Sequence, residues 1–347
     1  MHSIQCILPP HMLETISIRG DRKVKAMVSS LIKNAEKYRF ARAEASPPTA
    51  YQGVPPLDEA QQPTVYREVY DGQKKARLPG KLVRKEGDPP VCDDESVNVA
   101  YDGAGDVYDL YLDEYRRDSM DGRGMKLIST VHHRNKYNNA FWDGEQMAYG
   151  DGVVFSTMTE LSVIGHELSH GVVQFSGGLI YRDQAGALNE SFADVFGALT
   201  LQRKHQQSAS EATWLIGGGI FGPDVNGESL RSMKTPGEAY NDDLLGKDPQ
   251  PYHMDLYLNT SADNGGVHIN SGIPNHAFYL LSQYLGGNAW EKAGHIWYDT
   301  LQAINNPNAT FNEWADKTVE MARNRFGSGS REAIYTRRAW LLVGITV

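Results

Sequence analysis

The stretch VIGHELSHGVV, residues 163–173, carries the spacing that decides the fold and the chemistry of this chain. It places His166 and His170 four residues apart, with Glu167 between them. On a helix, positions i and i+4 lie on one face, about 40° apart, so both imidazoles can chelate one metal ion. Glu167 then lies beside the metal, where a carboxylate can act as the base on a metal-bound water. The alternative is an amphipathic helix that carries two core or surface histidines.

A third ligand distinguishes these two interpretations. The continuation xxGxxH, which would supply a third histidine, is excluded because residues 171–176 read GVVQFS. The stretch ALNESFADVFGAL (187–199) instead carries Glu190, with Asp194 at i+4 on the same face of a second predicted helix. Glu190 can complete a zinc site of two histidines and one glutamate with water in the fourth position, and Asp194 can fix the tautomer of a ligand histidine. Buried carboxylates without partners are costly, which favours the zinc site.

The composition indicates a globular protein with a substantial core, since 40% of the 347 residues are apolar and 22% are charged. No apolar run approaches the roughly 20 residues needed to span a bilayer, so we expect no membrane partner. The net charge of −9 predicts no nucleic-acid partner. The two cysteines, Cys6 and Cys92, form no zinc-binding cluster, so any metal is held mainly by histidine and carboxylate.

The first fifty residues differ from the rest of the chain. They hold eight Lys or Arg against four Asp or Glu, while the remainder is acidic. Residues 11–45 have helical spacing of apolar side chains, and SPPTAYQGVPP (46–56) follows as an exposed linker of the kind that proteases cut. The start of the chain is a poor signal peptide, because Pro9 and Pro10 interrupt its apolar run.

The remaining chain divides into a β-rich front half and a helical back half. Residues 64–160 contain short strand-like segments such as TVYREVYDG and MKLISTVHH, interrupted by one helix near 104–117. Helical patterns then follow at 160–175, 188–205, 272–286, 288–304, 310–325 and 330–342. The sequence predicts an α+β fold of two lobes with a functional cleft between them. The predicted units are residues 1–50, 51–175 and 176–347.

With these motifs in place, the chain resembles the thermolysin-like metallopeptidases (the M4 family) over roughly residues 60–347. HELSH and NESFAD match the zinc signature of that family. Three further motifs occur in the family's order: YNNAFWDG (137–144), SLRSM (229–233) and DNGGVHINSG (263–272). The short leader with its Pro-Pro motif is similar to that of the protealysin-like subgroup. In that subgroup a short propeptide covers the active site and is removed by autoprocessing.

The resemblance implies a zinc-dependent neutral endopeptidase with a thermolysin-like two-lobed fold. It implies one catalytic Zn²⁺, peptide and protein substrates, and residues 1–50 as an intramolecular inhibitor. It also implies a monomer. For catalysis, the resemblance implies zinc ligation by His166, His170 and Glu190, with Asp194 supporting His166, and general base catalysis by Glu167. It implies that Tyr181 and His268 stabilise the oxyanion and that Asp263 orients His268. For substrate binding, it implies that Asn139 and Ala140 bind the main chain, that Arg231 binds a carbonyl, and that Phe155, Val163 and Leu230 line a hydrophobic prime-side pocket.

The chain departs from the family pattern at the double calcium site. Two positions that carry carboxylates in the family are Ser162 and Leu201 here, and calcium requires six to eight oxygen ligands. We therefore expect this site to be absent, with a weak calcium site near Glu86 and Asp88 left open. Cys6 is either a thiolate ligand of zinc in the zymogen or, as we favour, a buried apolar residue.

Two other functions fit the sequence less well than a zinc endopeptidase. An aminopeptidase on a related scaffold needs a carboxylate motif for the free amine of its substrate, and the chain has no G-x-M-E-N stretch. A zinc-stabilised binding protein would tolerate the loss of Glu167, Tyr181 or His268, yet all three are present. The resemblance favours secretion by a non-classical route, and a cytoplasmic location is the alternative.

Overall fold

A six-stranded mixed sheet forms the N-terminal lobe. The computed structural model describes residues 5–26, 28, 29, 31, 32, 57, 63–222 and 225–347. The strand order is β1-β5-β6-β4-β2-β3, in which only the β6–β4 and β4–β2 pairs are parallel. The strands are β1 Gln5–Cys6, β2 Arg67–Asp71, β3 Lys81–Lys85, β4 Leu127–Val131, β5 Ala140–Trp142 and β6 Met147–Tyr149. The predicted linker 46–56 and the boundary after residue 50 lie outside the described residues.

Helices form the C-terminal lobe and bridge the two halves. In chain order, the first four of these helices are α1 Pro10–Arg19, α2 Glu95–Tyr115, α3 Leu161–Gln174 and α4 Asp183–Lys204. Those that follow are α5 Asp263–Asn270, α6 Gly272–Leu285, α7 Lys292–Ala303, α8 Phe311–Phe326 and α9 Arg331–Leu342. The α+β fold of a β-rich lobe and a helical lobe is confirmed, and the predicted helix near 104–117 begins earlier, at Glu95. Among the described residues, no helix is both long and apolar enough to cross a bilayer.

Two short antiparallel ribbons complete the C-terminal lobe. They are formed by β7 Leu215–Ile216 with β8 Arg231–Ser232, and by β9 Asn241–Asp242 with β10 Gly246–Lys247. The stacked rings of Trp297 on α7 and Trp340 on α9, 5.7 Å apart, lie in the core of this lobe. Rings of this size bury a large apolar area, so their stacking packs α7 against α9.

Two glycines let the cleft helices approach each other closely. A Cβ added to Gly165 on α3 would lie 2.9 Å from the Cα of Gly197 on α4. A Cβ added to Gly197 would lie 2.5 Å from the carbonyl oxygen of Ser162. Any side chain at either position would therefore force the helices apart. This contact brings the face of α3 that carries His166 and His170 against the face of α4 that carries Glu190 and Asp194.

The N-terminal segment packs on the cleft. β1 pairs antiparallel with β5, with Gln5 opposite Trp142 and Cys6 opposite Phe141. Pro10 begins α1, where its missing N–H and fixed φ are favourable. This helix buries Met12, Leu13 and Ile16, and residues 22–26 are also helical. The predicted helix over 11–45 is therefore interrupted at residues 20–21 within its described part.

His132 links three elements of the N-terminal lobe. Its Nδ1 lies 2.5 Å from Asp151 Oδ1 and its Nε2 lies 3.1 Å from Asp94 Oδ2. Asp94 also caps α2, and Asp71 and Lys74 line the same surface cavity. The hydrogen bond to Asp151 and the charge of Asp94 outweigh partial burial and raise the pKa of His132 to about 9. The imidazolium form therefore holds the end of β4 to the start of α2.

We expect His132→Gln to lower stability by roughly 1 kcal/mol below pH 6.5, because partial exposure screens these ion pairs. The pKa is raised in the folded state, so the stabilisation is present below the unfolded pKa and is lost as the pH rises through about 9. Urea unfolding at pH 6 and pH 10 measures the difference, with the exposed His205→Gln as the control. A deficit of the same size at both pH values would contradict the ion-pair explanation.

Candidate active site

The two histidines of α3 present their Nε2 atoms to one point. Glu160 caps the helix by accepting from the backbone N–H of Ser162 and Val163. His166 Nδ1 lies 2.8 Å from Asp194 Oδ1, and His170 Nδ1 lies 2.8 Å from Asn189 Oδ1. These contacts occupy both Nδ1 atoms and leave the Nε2 atoms 3.0 Å apart. A hydrogen-bond partner on Nδ1 fixes the orientation of each ring, as is usual for histidines that bind a metal through Nε2.

Glu190 on α4 completes a triangle of donors. His166 Nε2 lies 3.6 Å from Glu190 Oε2, and His170 Nε2 lies 3.4 Å from Glu190 Oε1. A tetrahedral zinc with ligand bonds of 2.0–2.1 Å separates its ligands by about 3.3 Å. Among the described atoms, Glu190 Oε2 has no hydrogen-bond partner although the side chain is fully buried. The donor types, spacing and this buried oxygen all fit a zinc ion.

Electrostatics keep these donors in the forms that bind metal. Burial, with the nearby His166, lowers the pKa of His170 to about 3, so its imidazole is neutral. Burial acts to raise the pKa of Glu190, but the positive charge of His268, the largest of the opposing effects, helps to lower it to about 2. A neutral imidazole and an ionised carboxylate are the states that coordinate zinc at neutral pH.

Glu167 lies beside this triangle and outside it. It is fully buried, and its Oε2 accepts a hydrogen bond of 3.0 Å from the backbone N–H of Trp142 on β5. Burial and the negative charge of Glu190 raise the pKa of Glu167 well above its ordinary value. A carboxylate with a raised pKa is a better proton acceptor, which suits a general base.

A left-handed turn carries His268 to the opposite side of the site. Residues 263–266 all have positive φ, and they begin α5. Asp263 Oδ1 lies 2.8 Å from His268 Nδ1, and Asp263 Oδ2 accepts from the His268 backbone N–H. Burial acts to lower the pKa of His268, but the charges of Asp263 and Glu190 raise it to about 9. Its Nε2 lies 3.2 Å from the hydroxyl of Tyr181, which also donates to Glu190.

Asp194 anchors a buried ionic network behind His166. The guanidinium of Arg231 donates to both oxygens of Asp194, at 2.8 and 2.7 Å, and Asn275 donates to it at 2.9 Å. Burial acts to raise the pKa of Asp194, but the Arg231 charge and His166 hold it well below its ordinary value. Arg231 Nη1 points away from Asp194 and donates to the Ile7 carbonyl at 3.1 Å.

The edge of β5 holds the N-terminal segment where the sequence predicted substrate binding. Asn139 Oδ1 accepts from the backbone N–H of Leu8 at 3.1 Å, and the Ala140 carbonyl accepts from that of Ile7 at 3.2 Å. The Cys6 carbonyl lies 2.9 Å from His268 Nε2. The main chain of Cys6 thus contacts the site, and its side chain is buried.

The three residues predicted to line a prime-side pocket are all buried. Phe155, Val163 and Leu230 belong to one apolar cluster, which also contains Ile7 and Leu8. Phe155 pairs with Phe221 across a single bridge, with ring centroids 5.8 Å apart.

Ser162, Glu86 and Asp88, three of the positions that bear on calcium binding, have hydrogen-bond partners within the protein. Ser162 Oγ donates to Glu160 and accepts from the Gly217 backbone N–H at 2.9 Å. Arg67 donates to both oxygens of Glu86, at 2.8 and 2.7 Å. A guanidinium thus occupies the Glu86 carboxylate, and Asp88 accepts from the Lys85 backbone N–H at 3.0 Å. Leu201 contributes no oxygen from its side chain.

Three features of the site were missed in the sequence. Asn189 and Asn275 support His170 and Asp194, and Asp194 forms an ion pair with Arg231. Asn189 directly precedes Glu190, so its position beside a predicted zinc ligand on α4 could have indicated a role at the site. Asn275 and Arg231 are far from Asp194 in sequence, and local periodicity carries no signal for such contacts.

Comparisons with known proteins agree with this geometry. Residues 57–174 match the family model of the thermolysin metallopeptidase catalytic domain, and residues 177–345 match that of its alpha-helical domain. The chain belongs to the thermolysin metallopeptidases. An extracellular metalloprotease of Pectobacterium carotovorum subsp. carotovorum is 41% identical over 98% of this chain and 96% of its own length. Protease PrtS of Photorhabdus sp. (strain Az29) is 48% identical over 84% of this chain and 79% of its own.

A solved structure extends the comparison to the N-terminal segment. The precursor of protealysin, a metalloproteinase from Serratia proteamaculans, matches with a TM-score of 0.87 and 42% identity over 99% of this chain and 100% of that one. The predicted membership of the thermolysin-like family and its protealysin-like subgroup is confirmed. The chain is a zinc-dependent metalloendopeptidase, its substrates are peptides, and its relatives support a zymogen form and secretion in general.

Proposed function

We propose that peptide bonds are hydrolysed at the triangle of His166, His170 and Glu190, with Glu167 as the general base. The observation that carries this is Glu167, a buried carboxylate of raised pKa set beside three converging metal donors. Zinc held by these donors supplies Lewis-acid polarisation of a carbonyl and a lowered pKa for a water in its open position. Glu167 accepts the proton of the attacking water and passes it to the leaving amine.

The other side chains stabilise charge and hold the substrate. His268 is protonated at neutral pH and donates through Nε2 to the developing oxyanion, with Tyr181 beside it. Asp263 orients that imidazole through its Nδ1. The substrate adds as a strand to the edge of β5, where Asn139 and Ala140 bind its main chain and Arg231 binds a carbonyl.

Removal of zinc tests this function. We expect a chelator such as 1,10-phenanthroline to abolish cleavage of an internally quenched peptide blocked at both ends, and zinc to restore it. The melting temperature falls in parallel, because a metal that binds only the folded state stabilises that state. Cleavage at an internal bond of a doubly blocked peptide excludes an aminopeptidase. Full activity in a preparation shown to be free of metal would contradict the proposal.

We also propose a preference for large apolar residues on the prime side of the bond. Phe155, Val163 and Leu230 support it, because all three are buried apolar side chains and Val163 lies four residues before Glu167 on α3. Burying a charged side chain there without a partner would be costly. A peptide panel that is cut after Lys or Arg without such a preference would contradict it.

We propose that residues 1–50 are a self-removed propeptide ahead of two peptidase lobes, 51–175 and 176–347. The segment from residue 5 supports this, because its main chain fills the edge of β5 and accepts from Arg231. We expect the intact mass of wild-type precursor to fall over hours by a fragment that ends within residues 44–55, while Glu167→Gln stays whole. A stable wild-type precursor that binds zinc would instead indicate a permanent inhibitor or processing by another protease.

The remaining features are proposed on narrower grounds. We propose that the family's double calcium site is absent, since Ser162 and Leu201 supply no carboxylate and Glu86 is bound by Arg67. Millimolar calcium should then leave the melting temperature unchanged, and a sharp rise would contradict this. We propose a monomer, which sedimentation measures, and export without a classical signal peptide.

A further inference from the structure

The bound segment presents one peptide bond to the reacting groups. The Cys6 carbonyl oxygen lies 2.9 Å from His268 Nε2, the donor that would stabilise an oxyanion. The next backbone N–H, that of Ile7, donates to the Ala140 carbonyl at 3.2 Å and also faces the Glu167 carboxylate. A carbonyl at the oxyanion donor and a nitrogen at the base are the two ends of a bond about to be hydrolysed.

Two further contacts fix the same register. Arg231 Nη1 donates to the Ile7 carbonyl at 3.1 Å, and the Leu8 backbone N–H donates to Asn139 Oδ1 at 3.1 Å. Both lie one residue further along, on the side of the leaving amine. A shift by one residue would break each of these contacts and would turn alternate side chains to the opposite face. The segment therefore lies in the direction and register of a substrate.

The side chains after this bond match the apolar site. Ile7 is 0% exposed and Leu8 is 2% exposed, so both side chains are buried in the apolar core. Pro9 follows and leads into α1, which turns the chain away from the cleft. The residue before the bond, Cys6, is small and buried.

We propose that the enzyme cleaves the bond between Cys6 and Ile7 of its own chain, and that residues 6–9 are a template for its substrates. The preferred substrate has a small residue before the bond, a β-branched or other aliphatic residue after it, then a second aliphatic residue and proline. This inference rests on the proposed function of the same site. It adds a second cut to the removal of residues 1–50, one that would destroy the inhibitor after release.

The cleavage is an ordinary hydrolysis. The oxygen of water bonds to the Cys6 carbonyl carbon, and the bond from that carbon to the Ile7 nitrogen breaks. One proton of the water passes through Glu167 to the Ile7 nitrogen, and the products are a Cys6 carboxylate and an Ile7 amine. No oxidant or other co-reactant is needed, and the Cys6 thiol stays unchanged.

A synthetic peptide tests the register directly. Residues 3–14, SIQCILPPHMLE, are made with acetyl and amide ends, incubated with the mature enzyme and analysed by mass spectrometry. We expect one early product that begins at Ile7. A Cys6→Ala peptide should be cut at the same bond, which excludes an effect of the thiol on zinc. An Ile7→Ala peptide should lose about tenfold or more in kcat/KM, and Ile7→Asp still more, because the apolar pocket is left unfilled or charged.

The processed precursor gives an independent reading. Wild-type enzyme that has removed its propeptide should release a fragment ending at Cys6 and one beginning at Ile7, while Glu167→Gln releases neither. Casein is digested in parallel as the control. Digestion of casein with the peptides intact, or cut at another bond, would overturn the inference and leave the proposed function standing. Failure to digest casein would overturn the proposed function itself.

Discussion

Glu167→Gln is expected to lower kcat/KM for a blocked peptide by roughly 10²–10⁴-fold, the usual contribution of a positioned general base. The substitution keeps the size of the side chain, and the amide oxygen of glutamine can still accept from the Trp142 backbone N–H. The amide cannot take a proton from water at neutral pH. The loss should therefore fall on the chemical step, in kcat more than in KM.

Zinc content and stability separate this result from misfolding. Glu167 is not one of the three converging donors, so the variant should bind one zinc per chain, as measured by elemental analysis. It removes a buried acidic group beside Glu190, so the melting temperature should stay the same or rise. Activity within tenfold of wild type, with zinc bound, would mean that another group acts as the base.

Asp194→Ala is expected to have the largest effect on stability, a loss of about 3–5 kcal/mol. The reason is that Arg231, only 2% exposed, would keep its charge without a partner. Arg231 donates to both oxygens of Asp194 in the folded chain, and His166 and Asn275 contact the same carboxylate. Zinc affinity should also fall by roughly 10–100-fold, because His166 loses the partner that orients its ring.

An exposed ion pair of similar geometry supplies the matched control. Arg325 donates to both oxygens of Asp299, at 2.6 and 3.0 Å, but both side chains are partly exposed. Asp299→Ala should cost at most about 1 kcal/mol. Urea unfolding measures both variants with zinc in excess, and competition with a chelator measures zinc affinity. Equal losses at the two pairs would show that burial of Arg231 does not decide the energy.

The N-terminal region shows where local patterns reach their limit. The sequence predicted a basic helical leader over residues 11–45, and α1 begins one residue before that range. It did not predict that Gln5 and Cys6 would pair with β5, because strand pairing between residues so distant has no local period. The helical region is also interrupted at residues 20–21, where α1 ends and the backbone N–H of Gly20 donates to the Ile16 carbonyl. A pattern read over a long window passes over such a break.

The sequence by itself determined the donors of the metal site, since His166 with His170 and Glu190 with Asp194 each lie four residues apart on one helix. The period of a helix settles which face such pairs share, and it needs no knowledge of the rest of the chain. Only the tertiary structure decided that Gly165 and Gly197 bring those faces together, and that Arg231 neutralises Asp194. These contacts join residues more than thirty positions apart, and they depend on how whole elements pack rather than on any local repeat.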